Sequence, residues 1–249
     1  MTELSSPSAL LLGLLFAGHA AADFLLQTRA MVRGKGQAKW LGLHIATVLA
    51  AHVAALAPLL SPRVFAATIA LALAHLAIDV GKTRVGARLA DRPRAAPVLF
   101  LLDQTLHVAT LVGAWLWLSG GPLPAPRWIT DVASATWIAW CFTGYAFNAN
   151  GVGSLIAHFL DPLTAAPPAV APEPPAGRGR LIGILERTLV LTLLLVGQWG
   201  VIGFVLAAKS IARFEELKRQ AFAEYYLIGT LLSVLFAIGT GLALLAMAP

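Results

Sequence analysis

The sequence predicts an all-α fold: a polytopic membrane helix bundle of about seven transmembrane helices, with a duplicated two-helix unit in its N-terminal half. Three observations carry this. First, 58% of the 249 residues are hydrophobic and only 12% are charged, with a mean hydropathy of +0.78; soluble domains carry about 25% charged residues. Second, seven apolar stretches, near 8–28, 40–60, 64–82, 97–118, 128–148, 181–208 and 224–247, are long enough to span, because about 20 residues cross the hydrocarbon. Third, two pairs of these stretches repeat one polar pattern.

Span 1 follows the leader "MTELSSPS", which has no basic residue, and it contains His19 and Asp23. A cleaved signal peptide needs a basic start and an uninterrupted apolar run, so span 1 is expected to stay. Arg29, Arg33, Lys35 and Lys39 separate spans 1 and 2, and Arg84, Arg88, Arg92 and Arg94 against Asp91 separate spans 3 and 4. The loop between spans 2 and 3 has only Arg63, and Arg127 precedes span 5. Lys and Arg are enriched in cytoplasmic loops, which places the N-terminus outside. The same enrichment explains the pI of about 10 without a nucleic-acid partner. The expected partner is membrane lipid. Cys141 is the single cysteine, which excludes an internal disulfide and a multi-cysteine metal site.

Span 5 leads into "GVGSLIAHFLDPL" (151–163), too short to cross and expected at the interface; His158 and Asp161 are weak ligand candidates. The five prolines of 164–180 forbid regular helix and mark a linker. Four segments follow: a four-helix core (1–125), a fifth helix with an interfacial stretch (126–163), the linker (164–180) and a C-terminal helical part (181–249). Within the last, "GQWG" (197–200) is a candidate break in span 6, and 209–222 reads as an amphipathic surface helix, with Ile211, Phe214 and Leu217 between charges.

Span 1 ends "GHAAADFLLQTR" and span 3 "AHLAIDVGKTR"; span 2 holds "LHIATVL" and span 4 "LHVATLV". A helix leaving with His and Asp, followed by one returning with His, therefore occurs twice. Both copies run in the same direction, which implies a pseudo-two-fold axis along the membrane normal.

All four spans carry their polar residues at the same end. At about 1.5 Å per residue the groups lie roughly 5–15 Å below the cytoplasmic surface. His19, Asp23 and Gln27 share a helical face, as do His75, Asp79 and Lys82, and Asp103 and His107. Each intramembrane charge costs about 2.5–3.5 kcal/mol on insertion scales, so these groups must face one another, water or a metal. Imidazole and carboxylate at helical spacing suit Zn, Fe or Mn, projected inward from facing helices. The expected ligands are His19, Asp23, His44, His75, Asp79 and His107, around one or two divalent transition-metal ions. Asp103 is the candidate general base, Lys82 stabilises developing charge, and Glu186 is a further candidate base or ligand, with an interfacial pair to Arg187 as the alternative. Gln27, Gln104 and His52 are expected to support the ligands. Two other roles stay open for the same cluster: a proton or ion path, and hydrogen-bonded glue between helices.

The pieces "HAAADFLLQT", "LHIAT", "HLAIDVGKTR" and "DQTLH" resemble a bacterial integral-membrane family catalogued as domain of unknown function 3307. The C-terminal pattern "LIGILER…GQWGVIGFVLAAKSIARFEEL" resembles its long members. The resemblance implies a bacterial inner-membrane location and no particular activity. The chemistry of the residues points to a metal-dependent intramembrane hydrolase acting on a lipid or lipid-linked substrate; a cation or proton transporter and a structural membrane scaffold are the alternatives.

Overall fold

The computed structural model describes residues 5–89, 92, 95–160 and 178–249. Most of the linker, with Asp91, Arg94 and Asp161, therefore lies outside the described residues. The chain forms two compact units, one of residues 1–146 with 247–249 and one of 147–246; the division falls within the 126–163 segment.

The first unit opens with α1 (Pro7–Ala20). Pro7 suits the first helical position, where an N–H would have no partner, and the Ser6 hydroxyl caps Ala9 N at 3.0 Å. The helix then widens into a π-helical segment, Ala21–Leu26. A short α2 (Arg29–Arg33), capped by Thr28, leads to α3 (Ala38–Ala55). Ser61 and Pro62 start α4 (Pro62–Arg88) in the same way as α1, and α5 (Ala95–Ser119) and α6 (Val132–Ala146) complete the unit.

The four helices α1, α3, α4 and α5 form a bundle with two unlike ends. One end is apolar: Leu10, Leu11, Leu15, Leu56, Leu59, Val64, Leu71, Leu111 and Leu118 form a continuous buried cluster. It is closed by Trp115 Nε1 donating to Ser8 O at 2.9 Å and Arg63 Nη2 donating to Trp117 O at 2.6 Å. The other end holds the histidines and carboxylates. Helix α6 covers α1, with Phe16 against Trp140 at a ring separation of 5.1 Å.

The second unit contains a π-helical segment, Phe147–Gly151, then α7 (Val152–Leu160), α8 (Arg178–Leu195), α9 (Trp199–Ala212), α10 (Phe214–Leu217) and α11 (Gln220–Ala246). Gly197 adopts φ +75° between α8 and α9, a left-handed cap open to glycine at little steric cost. Span 6 is therefore two helices rather than one. The expected amphipathic helix over 209–222 is likewise interrupted. α9 ends at Ala212, α10 is a single turn and α11 begins at Gln220. Periodicity detected the alternating apolar and charged residues there but not the two breaks.

Among the described residues, five helical stretches are long and apolar enough to cross a membrane: Pro7–Leu26, Ala38–Ala55, Pro62–Arg88, Ala95–Ser119 and Phe222–Ala246. α6 is shorter, and the break at Gly197 splits the remaining apolar run, so the expected count of seven is not reached by length alone.

Glycine allows a close approach of α1 to α3. A Cβ on Gly18 would lie 3.1 Å from His52 Cα, whereas one on Gly42 meets nothing within 4 Å. Overpacking a buried site costs about 1–3 kcal/mol. Gly18→Val is expected to lower the thermal midpoint of the detergent-purified protein, and Gly42→Ala to leave it unchanged or raise it. Equal midpoints for the two variants would contradict this crossing.

Candidate metal centre

Helical geometry brings the repeated His and Asp to one place. His19 and Asp23 come from the end of α1 and its π extension, His44 from the first half of α3, His75 and Asp79 from the middle of α4, and Asp103 and His107 from the first half and the middle of α5. Adjacent helices of the bundle run in opposite directions, so the C-terminal halves of α1 and α4 meet the N-terminal halves of α3 and α5. The four imidazoles are buried, and so are Asp79 and Asp103. The side chain of Asp23 is 10% exposed.

The rings lie in contact. Centroid separations are 5.3 Å for His19–His107, 4.2 Å for His75–His107 and 5.0 Å for His44–His75. His44 Nε2 and His75 Nε2 face each other at 3.0 Å. Asp23 Oδ1 is 3.6 Å from the first nitrogen and 3.5 Å from the second; Asp79 Oδ2 is 3.5 and 3.8 Å from them. Four donor atoms from three helices thus converge. Ligands held at about 2.0–2.1 Å by one tetrahedral ion lie about 3.3–3.4 Å apart, within the observed range.

The hydrogen bonding leaves the inner carboxylate oxygens free, while His44 Nε2 lies within hydrogen-bond distance of both His75 Nε2 and the Gln27 amide nitrogen. Asp23 Oδ1, Asp79 Oδ2, Asp103 Oδ1 and His107 Nε2 are buried without a hydrogen-bond partner. The second oxygen of Asp79 accepts from Lys35 Nζ at 2.7 Å, and Asp103 Oδ2 accepts from Lys82 Nζ at 2.7 Å and Gln104 Nε2 at 3.0 Å. His107 Nδ1 lies 2.8 Å from the Asp103 carbonyl. A carbonyl only accepts, so Nδ1 carries the hydrogen and Nε2 presents a bare lone pair. Buried polar atoms are nearly always paired, and four unpaired acceptors in one cluster require a cation or donors.

Charge leads to the same requirement. Three carboxylates face two ammonium groups, Lys35 and Lys82, and Asp23 has no Lys or Arg within ion-pair distance among the described residues. With neutral imidazoles the cluster carries one excess negative charge. Three sets of residues have donors close enough to share an ion: His19, Asp23 and His75; His44, His75 and Asp79; and Asp79, Asp103 and His107. His75 and Asp79 are shared between sets. The buried His/Asp groups can therefore hold a metal ion.

The supporting residues fall into place unequally. The Gln27 amide nitrogen lies 2.9 Å from His44 Nε2 and 3.3 Å from Nδ1, and Gln104 braces Asp103. His52 bonds the Val48 carbonyl of its own helix at 2.9 Å and packs on Gly18, the neighbour of His19 in sequence. Lys35 has no place in the helical pattern; a loop lysine counted only for its charge carries no period to reveal it. Glu186 belongs to the second unit, where Lys209 Nζ holds it at 2.6 Å. The alternative pairing of Glu186 with Arg187 is not formed: Arg187 donates to the Asn148 and Ala149 carbonyls. His158 is half-buried and lies 2.7 Å from Ser154 O through Nδ1.

A family profile described as Protein of unknown function (DUF3307) matches residues 10–129. That stretch contains every donor of the cluster, together with Lys35, Lys82, Gln27 and Gln104. No curated protein and no solved structure matches the chain. The DUF3307 segment ends before α6, so the match covers the four-helix bundle and none of the second unit.

Removing Lys82 leaves Asp103 buried with Gln104 as its remaining side-chain donor. Breaking a buried pair costs about 3–5 kcal/mol; Lys82 is 31% exposed, which reduces the expected loss to about 1–2 kcal/mol. In chelator, Lys82→Met should destabilise the protein, and Lys82→Met with Asp103→Asn should recover part of the loss in a double-mutant cycle. Additive losses would show that the two groups are uncoupled.

Proposed function

We propose that this chain is a multi-pass protein of the bacterial inner membrane, N-terminus outside, and a metal-dependent intramembrane hydrolase acting on a lipid or lipid-linked substrate. The observation that carries the reading is the convergence of His44 Nε2, His75 Nε2, Asp23 Oδ1 and Asp79 Oδ2 at 3.0–3.8 Å, with both carboxylate oxygens unpaired. These residues would hold a first Zn, Fe or Mn ion. Asp79, Asp103 and His107, with His19 stacked on His107, offer donors for a second.

When bound, the ion supplies a water of lowered pKa and polarises the scissile group. The protein supplies the rest. Where only the first ion is bound, Asp103 Oδ1 is free to accept a proton from the attacking water, while Lys82 and Gln104 fix the carboxylate through Oδ2. The partly exposed Lys82 ammonium supports negative charge as it develops. Lys35 keeps Asp79 in orientation through its other oxygen, and the Gln27 amide, 2.9 Å from His44 Nε2, would give up that position to the ion. Glu186, neutralised by Lys209, is the weaker candidate for the base.

Two observations disfavour the alternatives. A path for cations or protons needs polar groups through the outer half of the bundle, but that half is the leucine cluster. A purely structural cluster would close direct His–Asp hydrogen bonds, but the side-chain separations are 3.5–3.9 Å.

The test uses the full-length protein loaded separately with Zn, Fe or Mn, incubated with a panel of membrane lipids and analysed by mass spectrometry. Hydrolysis that depends on metal and stops with chelator is expected. Asp103→Asn should reduce it by about 10²–10⁴-fold without loss of the first ion. Bound metal with no turnover, and cation flux in proteoliposomes, would replace the hydrolase with the transporter.

A further inference from the structure

The second unit holds a different polar cluster, composed almost wholly of hydrogen-bond donors. Arg187 on α8 is 5% exposed. Its Nε and Nη2 donate to the Asn148 and Ala149 carbonyls of the π-helical segment Phe147–Gly151, and Nη1 lies 3.5 Å from Ser233 Oγ on α11. A Cβ on Gly183 or Gly153 would come within 3.0 or 3.2 Å of the guanidinium nitrogens, so two glycines leave room for the group. No carboxylate lies within ion-pair distance of Arg187 among the described residues, because the adjacent Glu186 is taken by Lys209 at 2.6 Å.

These residues line a narrow cleft between α8, α9 and α11. Its polar members are Arg187, Glu186, Lys209, Thr230 and Ser233, and its walls are apolar, among them Val190, Leu206 and Val234. The space suits about one water-sized group.

The hydroxyls supply the second observation. Six helical threonines, Thr47, Thr83, Thr136, Thr143, Thr192 and Thr240, donate to the carbonyl four residues earlier. Thr230 does not, although its Oγ1 is buried, and one turn earlier the buried hydroxyl of Tyr226 is also without a partner. Lys209 Nζ sits 5.2 Å from the Tyr226 ring. Tyr226, Thr230 and Ser233 share a face of α11 by their spacing. The cleft thus combines two cations, one carboxylate, the unpaired hydroxyl of Thr230 and the hydroxyl of Ser233 with apolar walls. A group that supplies only acceptors completes it.

We infer that this cleft binds the oxyanion group of a membrane amphiphile, one oxygen entering between Arg187, Thr230 and Ser233 while the apolar chain stays outside the cleft. Lipid phosphodiester and fatty-acid carboxylate share this chemistry. The site is independent of the metal centre and of the hydrolase reading.

The test is native mass spectrometry of the full-length protein in detergent, titrated with phosphatidylglycerol, phosphatidylcholine or oleate. Retention of phosphatidylglycerol or oleate at least about five-fold above phosphatidylcholine is expected, and whichever is retained identifies the source. Arg187 also holds the π segment, so the diagnostic variants are Thr230→Val and Ser233→Ala, which remove one hydroxyl each and leave the clamp intact. Both should bring retention down to the phosphatidylcholine level, while Thr240→Val, which loses only a bond within its own helix, should not. Equal retention of all three lipids, or retention unchanged in Thr230→Val and Ser233→Ala, would overturn the assignment.

Discussion

Three carboxylates buried at one end of an apolar helix bundle are the constraint on which the first unit depends. Asp23, Asp79 and Asp103 could not face lipid, so the helices that carry them must turn inward and meet. Lys35 and Lys82 each neutralise one outer oxygen. The inner oxygens remain unpaired beside four imidazoles. A bundle whose other end is continuous leucine can tolerate this arrangement because the polar groups are gathered in one place. The same gathering produces the convergence of donors that a metal requires.

Much of this could be read from the sequence, because side chains four apart on a helix share a face. His19 with Asp23, His75 with Asp79 and Asp103 with His107 form i,i+4 pairs in space. His–Asp separations are 3.9 and 3.8 Å along the first and third spans, whereas the ring pairs His19–His107 and His75–His44, 5.3 and 5.0 Å apart, differ in tilt, at 25° and 63°. What escaped the pattern was non-periodic. Lys35 reaches Asp79 from a loop. Arg187 and Glu186 are neighbours in sequence but turn to different partners. The break at Gly197 depends on a left-handed φ that hydropathy does not register.

The π-helical segments deserve a physical account. "DFLLQTR" has one residue more between Asp and Thr-Arg than "DVGKTR", and the longer stretch contains the π segment Ala21–Leu26. The i→i+5 turn takes up the extra residue and closes the helix, since Gln27 directly after it is extended; such turns recur at functional sites. Here it carries Asp23 and is followed directly by Gln27, which reaches His44. The second π segment, Phe147–Gly151, lends its carbonyls to Arg187. Each unit therefore joins a π turn to a buried polar cluster, one rich in acceptors and the other in donors.

The central claim is that the bundle end is a metal centre, and X-ray absorption at the metal edge of the purified full-length protein tests it most directly. The account predicts a first shell of imidazole nitrogen and carboxylate oxygen at about 2.0–2.2 Å, with outer-shell scattering from at least two imidazoles that diminishes in His75→Ala. A protein that takes up no Zn, Fe or Mn after reconstitution, or a bound metal whose shell lacks imidazole, would contradict it.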